Sequence, residues 1–300
     1  MTAIPLWRTQ RERGSRVLMQ LIATLTLRVG RSVGRLLLYP ICAYFLVFSR
    51  RARTASGDYL GRVYGRTPTW SERFQHYHCF ARQILDRAHL LAKGLEGFDY
   101  ALEGLEILES AVSKRRGVLL LGAHLGSFEM MRVLAHVHSP VRLRVLMHEA
   151  NAEKLTSVFA SLNSDLPRQV IALGRPETML EVRDALRAGD VVSLLADRAL
   201  SGDRVRICEF LGAPAPFAEG PFVLAGTLGV PVLLFSALQI EGDRYRIQIE
   251  PFADRIDISR GARDVELARA CTRYANWLEQ RCREAPYNWF NFYDFWDVQR

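Results

Sequence analysis

From residue 70 onward, apolar positions recur in two alternating rhythms. Residues 70–91 (WSERFQHYHCFARQILDRAHLL) space them three to four apart, which predicts a helix capped by Ser71. Residues 117–123 (GVLLLGA) form a short, unbroken apolar run after a basic turn, the pattern of a strand buried on both faces. Helical spacing returns over 127–138, 152–162, 177–188 and 222–228, and further short strands are expected at 141–147, 169–173, 191–196 and 230–235. Residues 244–250 (RYRIQIE) alternate with period two, which predicts an edge-like strand, and 264–282 reads as a long final helix. Strands alternating with helices predict an α/β fold, a mostly parallel sheet covered by helices. No internal repeat or low-complexity linker interrupts the pattern, so 67–300 reads as one α/β domain.

Residues 1–66 follow a different rule. Two apolar runs, 17–27 (VLMQLIATLTL) and 36–48 (LLLYPICAYFLVF), are each shorter than the roughly 20 residues a spanning helix needs. Arg28, Arg31 and Arg35 stand between them at helical spacing, and Arg50, Arg51 and Arg53 follow the second. Pro40 is expected to kink or end a helix there. This pattern predicts a helical extension lying in, or re-entering, a membrane interface. Arginines through the apolar stretch argue against a cleaved signal peptide.

Charge sharpens that division. The chain carries +8 overall, yet residues 1–66 alone hold twelve arginines against Glu12 and Asp58, a balance of +10, so the remaining 234 residues carry −2. Such a basic segment draws an anionic surface. Its aromatic residues are embedded in aliphatic runs rather than spaced for base stacking, so an anionic membrane surface is the expected partner and not nucleic acid. A composition of 49% hydrophobic and 24% charged residues excludes a disordered or fibrous chain and a polytopic membrane protein. The five cysteines are scattered with no C-x-x-C, which suggests neither a disulfide framework nor a zinc knuckle and fits a reducing compartment.

Several common chemistries lack their motifs. No Gly-Lys-Ser/Thr loop occurs, no G-x-G-x-x-G follows a strand, and there is no H-E-x-x-H. Ser127 lacks the second glycine of a hydrolase elbow. His76-Tyr77-His78-Cys79 alternates on a predicted helix, which turns its members to different sides, so no metal site is expected there. What remains is Gly122-Ala123-His124-Leu125-Gly126-Ser127-Phe128-Glu129, at the end of the first buried strand. Reactive groups collect beyond the carboxyl ends of parallel strands. Glu129 falls in the first turn of the next helix, and Gly126 permits a reversal able to bring it back onto His124. A carboxylate on one imidazole nitrogen leaves the other as a base, a pair suited to deprotonating a hydroxyl as it attacks an acyl group. Chance alone supplies H-x4-E often, and its structural alternative is a satisfied strand-end histidine beside an ordinary helix-start glutamate.

GVLLLGAHLGSFEMM resembles the H-x4-D/E block of glycerolipid-type acyltransferases, and its H-x4-E form resembles that of the lipid A biosynthesis acyltransferase family. Three further stretches are similar to that family in order: Leu194-Leu195-Ala196-Asp197-Arg198, then Phe210-Leu211-Gly212-Ala213-Pro214-Ala215, then Leu224 to Val232. The resemblance covers nearly the whole chain. It implies a membrane-bound O-acyltransferase at the cytoplasmic face of the cell inner membrane. Acyl carrier protein or a coenzyme A thioester would donate the acyl chain to a hydroxyl of an envelope lipid, lipid A-like or another glycolipid or aryl lipid. His124 would be the base and Glu129 its partner, with Asp197 and Arg198 near the substrate. Backbone N–H groups around Gly126 and Ser127, or Arg198, would hold the oxyanion. No metal or redox cofactor is called for. The rival expectations are a coenzyme A-dependent glycerolipid acyltransferase and a non-catalytic lipid-binding protein.

Two departures from the family pattern bear on the acceptor. Where the family carries an arginine after its second strand, this chain reads Leu146-Met147-His148-Glu149-Ala150-Asn151. Where the family ends near a Trp-x-His-Arg-Arg-like stretch, this chain reads Asn288-Trp289-Phe290-Asn291-Phe292-Tyr293-Asp294-Phe295-Trp296. Arginine clusters recognise phosphate bidentately, so their absence argues against a bis-phosphorylated sugar and for a flatter, less charged acceptor.

Overall fold

The computed structural model describes residues 30–114, 116–138, 142–148, 169–199, 202–240 and 244–297. The first apolar run (17–27) and the helix expected over 152–162 lie outside them. The chain enters through three helices, α1 (Arg31–Phe48), α2 (Arg50–Tyr64) and α3 (Trp70–Lys93). It continues through β1 (Tyr100–Glu103), α4 (Leu105–Ser113), β2 (Val118–Gly122), α5 (Phe128–His138), β3 (Leu143–His148), β4 (Val170–Leu173), α6 (Thr178–Arg187) and β5 (Val191–Leu195). A hairpin of β6 (Val205–Phe210) and β7 (Ala213–Ala218) follows, then α7 (Gly220–Leu228), β8 (Val232–Gln239), β9 (Tyr245–Ala253) and α8 (Arg263–Glu284). A 3-10 turn, Pro286–Asn288, leads into the C-terminal segment.

Among the described residues, seven strands form one sheet in the order β1-β9-β8-β2-β5-β3-β4. All neighbours are parallel except β8 and β9, a hairpin. The unbroken apolar run of β2 makes sense in the middle of this order, because both of its faces are covered. Val118 and Leu120 pack into one apolar cluster with Met130, Met131 and Leu134, and Leu119 and Leu121 pack into the other with Phe222, Tyr274 and Leu278. Burying a side chain of this size removes enough apolar area to be worth about 1.5–3 kcal/mol.

Several expectations need correction. The period-two strand is not at the edge: β9 lies between β8 and β1, and its alternating residues Tyr245, Ile247 and Ile249 are buried against α3 and α4. The short elements β1 and α4 and the β6–β7 hairpin were not anticipated, being too brief to show a period. The cap of α3 is Thr69, not Ser71. Thr69 has extended backbone and accepts from the Glu72 amide at 3.2 Å, while the Glu72 carboxylate accepts from the Thr69 amide at 2.7 Å, a reciprocal box that Ser71 cannot make from within the helix.

Pro40 neither ends nor interrupts α1, which runs through it. The proline and Leu36, four residues earlier, both face outward, so the missing hydrogen bond leaves its carbonyl on the exposed side. The inward stripe Gly34, Leu38, Cys42, Leu46 repeats every four residues and packs with Tyr77 and Leu85 of α3. Arg31 and Arg35 reach the buried carboxylate of Asp86 at 3.2 and 3.6 Å, and Tyr245 Oη donates to it at 2.8 Å. The opposite face exposes Val33, Leu36, Leu37, Tyr39, Tyr44, Val47 and Phe48.

Candidate active site

The adjacent parallel strands β2 and β5 pair in register, with Gly122 beside Leu195. Two residues beyond that pair, at the carboxyl ends of both strands, stand His124 and Asp197. The Asp197 Oδ1 accepts from the His124 ring Nδ1 at 2.8 Å and from the His124 backbone amide at 3.1 Å. Its Oδ2 accepts from the indole Nε1 of Trp289 at 3.0 Å. The carboxylate is buried at 1% exposure, while the His124 side chain is 30% exposed, so the imidazole is the part of the pair that solvent or substrate reaches. A carboxylate on Nδ1 fixes the proton there and leaves Nε2 with its lone pair outward.

The electrostatics agree with that assignment. Burial would raise the Asp197 carboxyl, but His124, Arg198 and the indole N–H outweigh it and hold it at about 2. Asp197 is therefore an anion at neutral pH. Burial pushes His124 below the ordinary histidine value, and the Arg198 cation adds to this against the pull of Asp197. The imidazole is neutral and ready to accept a proton near pH 7.

Glu129 does not take the position expected of it. The helix of H-x4-E begins at Phe128, and its first turn directs Glu129 away from the imidazole toward α3. One oxygen of its buried carboxylate accepts from Arg87 Nε at 3.1 Å, and the other from Arg132 Nε, three residues on. Arg132 also donates to Gln169 Oε1 at 2.5 Å. The carboxylate on His124 is Asp197, 73 residues away in the chain.

Gly126 and Ser127 are committed to the fold rather than open to a ligand. The Gly126 amide donates to the Asn288 carbonyl at 2.8 Å and the Ser127 amide to the Ala237 carbonyl at 2.8 Å. Gly126 has φ +64°, and a Cβ there would lie 2.0 Å from the Ala237 oxygen, so no other residue allows this approach to β8. Ser127 is buried, and its Oγ accepts from the Met130 amide at 3.2 Å, capping α5. Neither amide is left to stabilise an oxyanion. Arg198 donates from Nη2 to the Phe290 carbonyl at 3.0 Å and lies 5.4 Å from the Tyr293 ring centre.

The aromatic C-terminal segment is part of the site. The Phe290 amide donates to the His124 carbonyl at 2.8 Å, and Leu125 and Trp289 bridge as antiparallel neighbours, so this segment runs as a short strand along the histidine loop. The Asn288 side chain bonds both the amide and the carbonyl of Gln239, at 2.8 and 3.0 Å. Phe80 of α3 lies between Phe290 and Phe292, with ring centres 5.2 and 5.3 Å away, and joins the site to the N-terminal helices.

His76 has a separate duty. It is fully buried, with Nδ1 2.9 Å from Ser56 Oγ and Nε2 2.8 Å from the Trp289 carbonyl. Among the described residues no group of three or more histidine, cysteine or acidic side chains is arranged to hold a metal ion.

Sequence reasoning placed Asp197 and Arg198 near the site but missed the pairing of Asp197 with His124 and the part played by Trp289. The usable signal for the first was positional: His124 and Asp197 each stand two residues beyond a buried, mostly apolar strand. No individual curated protein matches the chain. A family model for bacterial lipid A biosynthesis acyltransferases matches residues 77–297, a span that includes His124, Glu129, Asp197 and Trp289 and begins after α1 and α2. With that match over well more than half its length, the chain belongs to the bacterial lipid A biosynthesis acyltransferase family and is an acyltransferase of lipid biosynthesis.

Proposed function

We propose that the protein is a membrane-associated O-acyltransferase that moves a fatty acyl chain from a thioester carrier to a hydroxyl of an envelope lipid. The carrier is acyl carrier protein or coenzyme A, and the reaction takes place at the cytoplasmic face of the inner membrane. The observation that carries this reading is the half-exposed His124 imidazole, held through Nδ1 by an ionised carboxylate, within a chain of this family.

In this mechanism His124 Nε2 removes the acceptor hydroxyl proton as the oxygen attacks the thioester carbonyl. Asp197 keeps the proton on Nδ1 and stabilises the imidazolium as it forms. The tetrahedral oxyanion faces Arg198, the cation next to the pair, since the Gly126 and Ser127 amides already have acceptors. Collapse breaks the carbon–sulfur bond, and the imidazolium returns its proton to the leaving thiolate. The products are the acyl ester and the free carrier thiol.

The exposed apolar face of α1 supports membrane association. The helix is long and apolar enough to cross a membrane, but its other face packs on α3 and its Arg31 and Arg35 engage buried Asp86. That arrangement suits a helix lying in the interface, with Arg50, Arg51 and Arg53 following at its end.

The test incubates purified protein with labelled acyl carrier protein or labelled acyl coenzyme A, with and without envelope lipid extract. Label passing to lipid only when the extract is present supports a transferase. Loss of label without acceptor indicates a thioesterase, and transfer from coenzyme A to glycerol phosphate or lysophosphatidate indicates a glycerolipid enzyme. Flotation of the same protein with anionic vesicles, and its loss when Leu36, Tyr44 and Phe48 are all changed to Glu, tests the membrane face.

A further inference from the structure

The geometry points to Trp289 as the positioning residue of the His124–Asp197 pair: its indole N–H, aimed by the C-terminal segment, fixes the carboxylate that fixes the imidazole. This inference rests on the acyl transfer proposed above.

Asp197 has three hydrogen bonds among the described residues. Two come from His124, and the third, to Oδ2, is the indole N–H at 3.0 Å. With the carboxylate at 1% exposure, removing the indole donor leaves a buried charged oxygen without a partner. The carboxylate would then be free to rotate, and the imidazole would lose the constraint that holds its Nδ1 proton.

Trp289 itself is held on every side. Its ring is fully buried, edge-on to Tyr59 at 5.0 Å, Phe210 at 5.3 Å and Phe295 at 4.9 Å between centres. Its carbonyl accepts from His76 Nε2, while two backbone bonds tie its neighbours to the histidine loop: the Gly126 amide donates to the Asn288 carbonyl, and the Phe290 amide to the His124 carbonyl. The same segment therefore grips the backbone of the base and the side chain of the acid. A phenylalanine would fill much of this aromatic cage, so packing alone does not call for an N–H aimed at Oδ2.

The test compares wild type, W289F, D197A and the double variant in acyl transfer, with the ring nitrogen resonances of His124 read by NMR in each. W289F is expected to lower kcat by about 10- to 100-fold, the worth of one hydrogen bond to a buried charge, with KM changed less than about twofold. In the D197A background W289F is expected to add no further loss, and in W289F alone the Nδ1–H tautomer of His124 is expected to lose population. Should W289F fail to fold, incorporation of benzothienylalanine at 289, which keeps the bicyclic shape and replaces N–H by sulfur, makes the same comparison. A wild-type kcat with an unchanged tautomer overturns the role of Trp289, as do losses that multiply in the D197A background. A wild-type protein with the expected tautomer but no transfer activity overturns the proposed function instead, and the NMR comparison still decides the role of Trp289.

Discussion

Asp197 holds His124 through a single oxygen that accepts two hydrogen bonds, one from the ring Nδ1 at 2.8 Å and one from the backbone amide at 3.1 Å. The pairing follows from strand register, because Gly122 of β2 lies beside Leu195 of β5 and each functional residue is two positions further on. The sheet thus sets the distance between base and acid before any side chain is chosen.

The first prediction separates these two roles. His124→Ala should reduce turnover by several orders of magnitude. Asp197→Asn should reduce kcat by about three to four orders of magnitude, because the amide favours the wrong tautomer while the geometry is retained. Steady-state transfer assays on folded variants provide the check. An Asp197→Asn enzyme within tenfold of wild type would remove Asp197 from the mechanism.

Glu129 should behave in the opposite way. Its carboxylate is the shared counter-ion of Arg87 and Arg132, and the Arg132 side chain is 5% exposed. Glu129→Ala removes the carboxylate that both guanidiniums share, and breaking a buried pair from one side typically costs about 3 kcal/mol or more. The expected outcome is a marked fall in denaturant midpoint. At a temperature where Glu129→Gln is folded, its kcat should fall less than about tenfold. A large loss of kcat at unchanged stability would instead restore Glu129 as the partner of the base.

The alternation of helices with apolar strands was legible because β2, β5 and β8 are buried on both faces, so that β2 carries no polar position and the other two carry only Ser193, Ser236 and the terminal Gln239 within apolar runs. His124 was legible for the same reason, standing at the end of such a run. The acid was not. Only four residues separate His124 from Glu129, which invites pairing by proximity, while the strand order that places β5 beside β2 leaves no mark in either segment. Trp289 was hidden further, since an aromatic run reads as packing until one indole N–H is seen to face a buried carboxylate. The edge assignment of β9 failed because its partner β1 is only four residues long.

The pH profile carries the signature of Arg198. His124 titrates below the usual histidine value, from burial first and the Arg198 charge second. The base form is the neutral imidazole, so kcat/KM should rise with pH on an acid limb centred below 6.5 and then level off. Arg198→Gln removes a cation that opposes protonation, so the limb should move to higher pH. Asp197→Asn removes the anion that favours protonation, so whatever activity remains should show a limb at lower pH. Profiles of the two variants displaced in the same direction would contradict this account of the charges.

His76 should set an acid limit on stability. Burial lowers its pKa from the ordinary 6.5 to about 4, against the partial support of the Trp289 carbonyl. Between those values the unfolded chain binds a proton at His76 and the folded chain does not, so stability rises with pH across this window. Above 6.5 both states are neutral there and the dependence ends. As pH falls from 6.5 toward 4, folding should lose up to about 3 kcal/mol through this one group, the shift multiplied by 1.36 kcal/mol per unit. The ring that becomes charged is the one that holds the Trp289 carbonyl and Ser56 Oγ, so protonation loosens the C-terminal segment at the site itself. Urea unfolding at intervals between pH 4 and 7 measures the slope. In His76→Gln, which keeps a donor for the carbonyl but does not titrate, the protein should be less stable at pH 7 and the slope over this window should be shallower. An unchanged slope in that variant would assign the acid sensitivity to other groups.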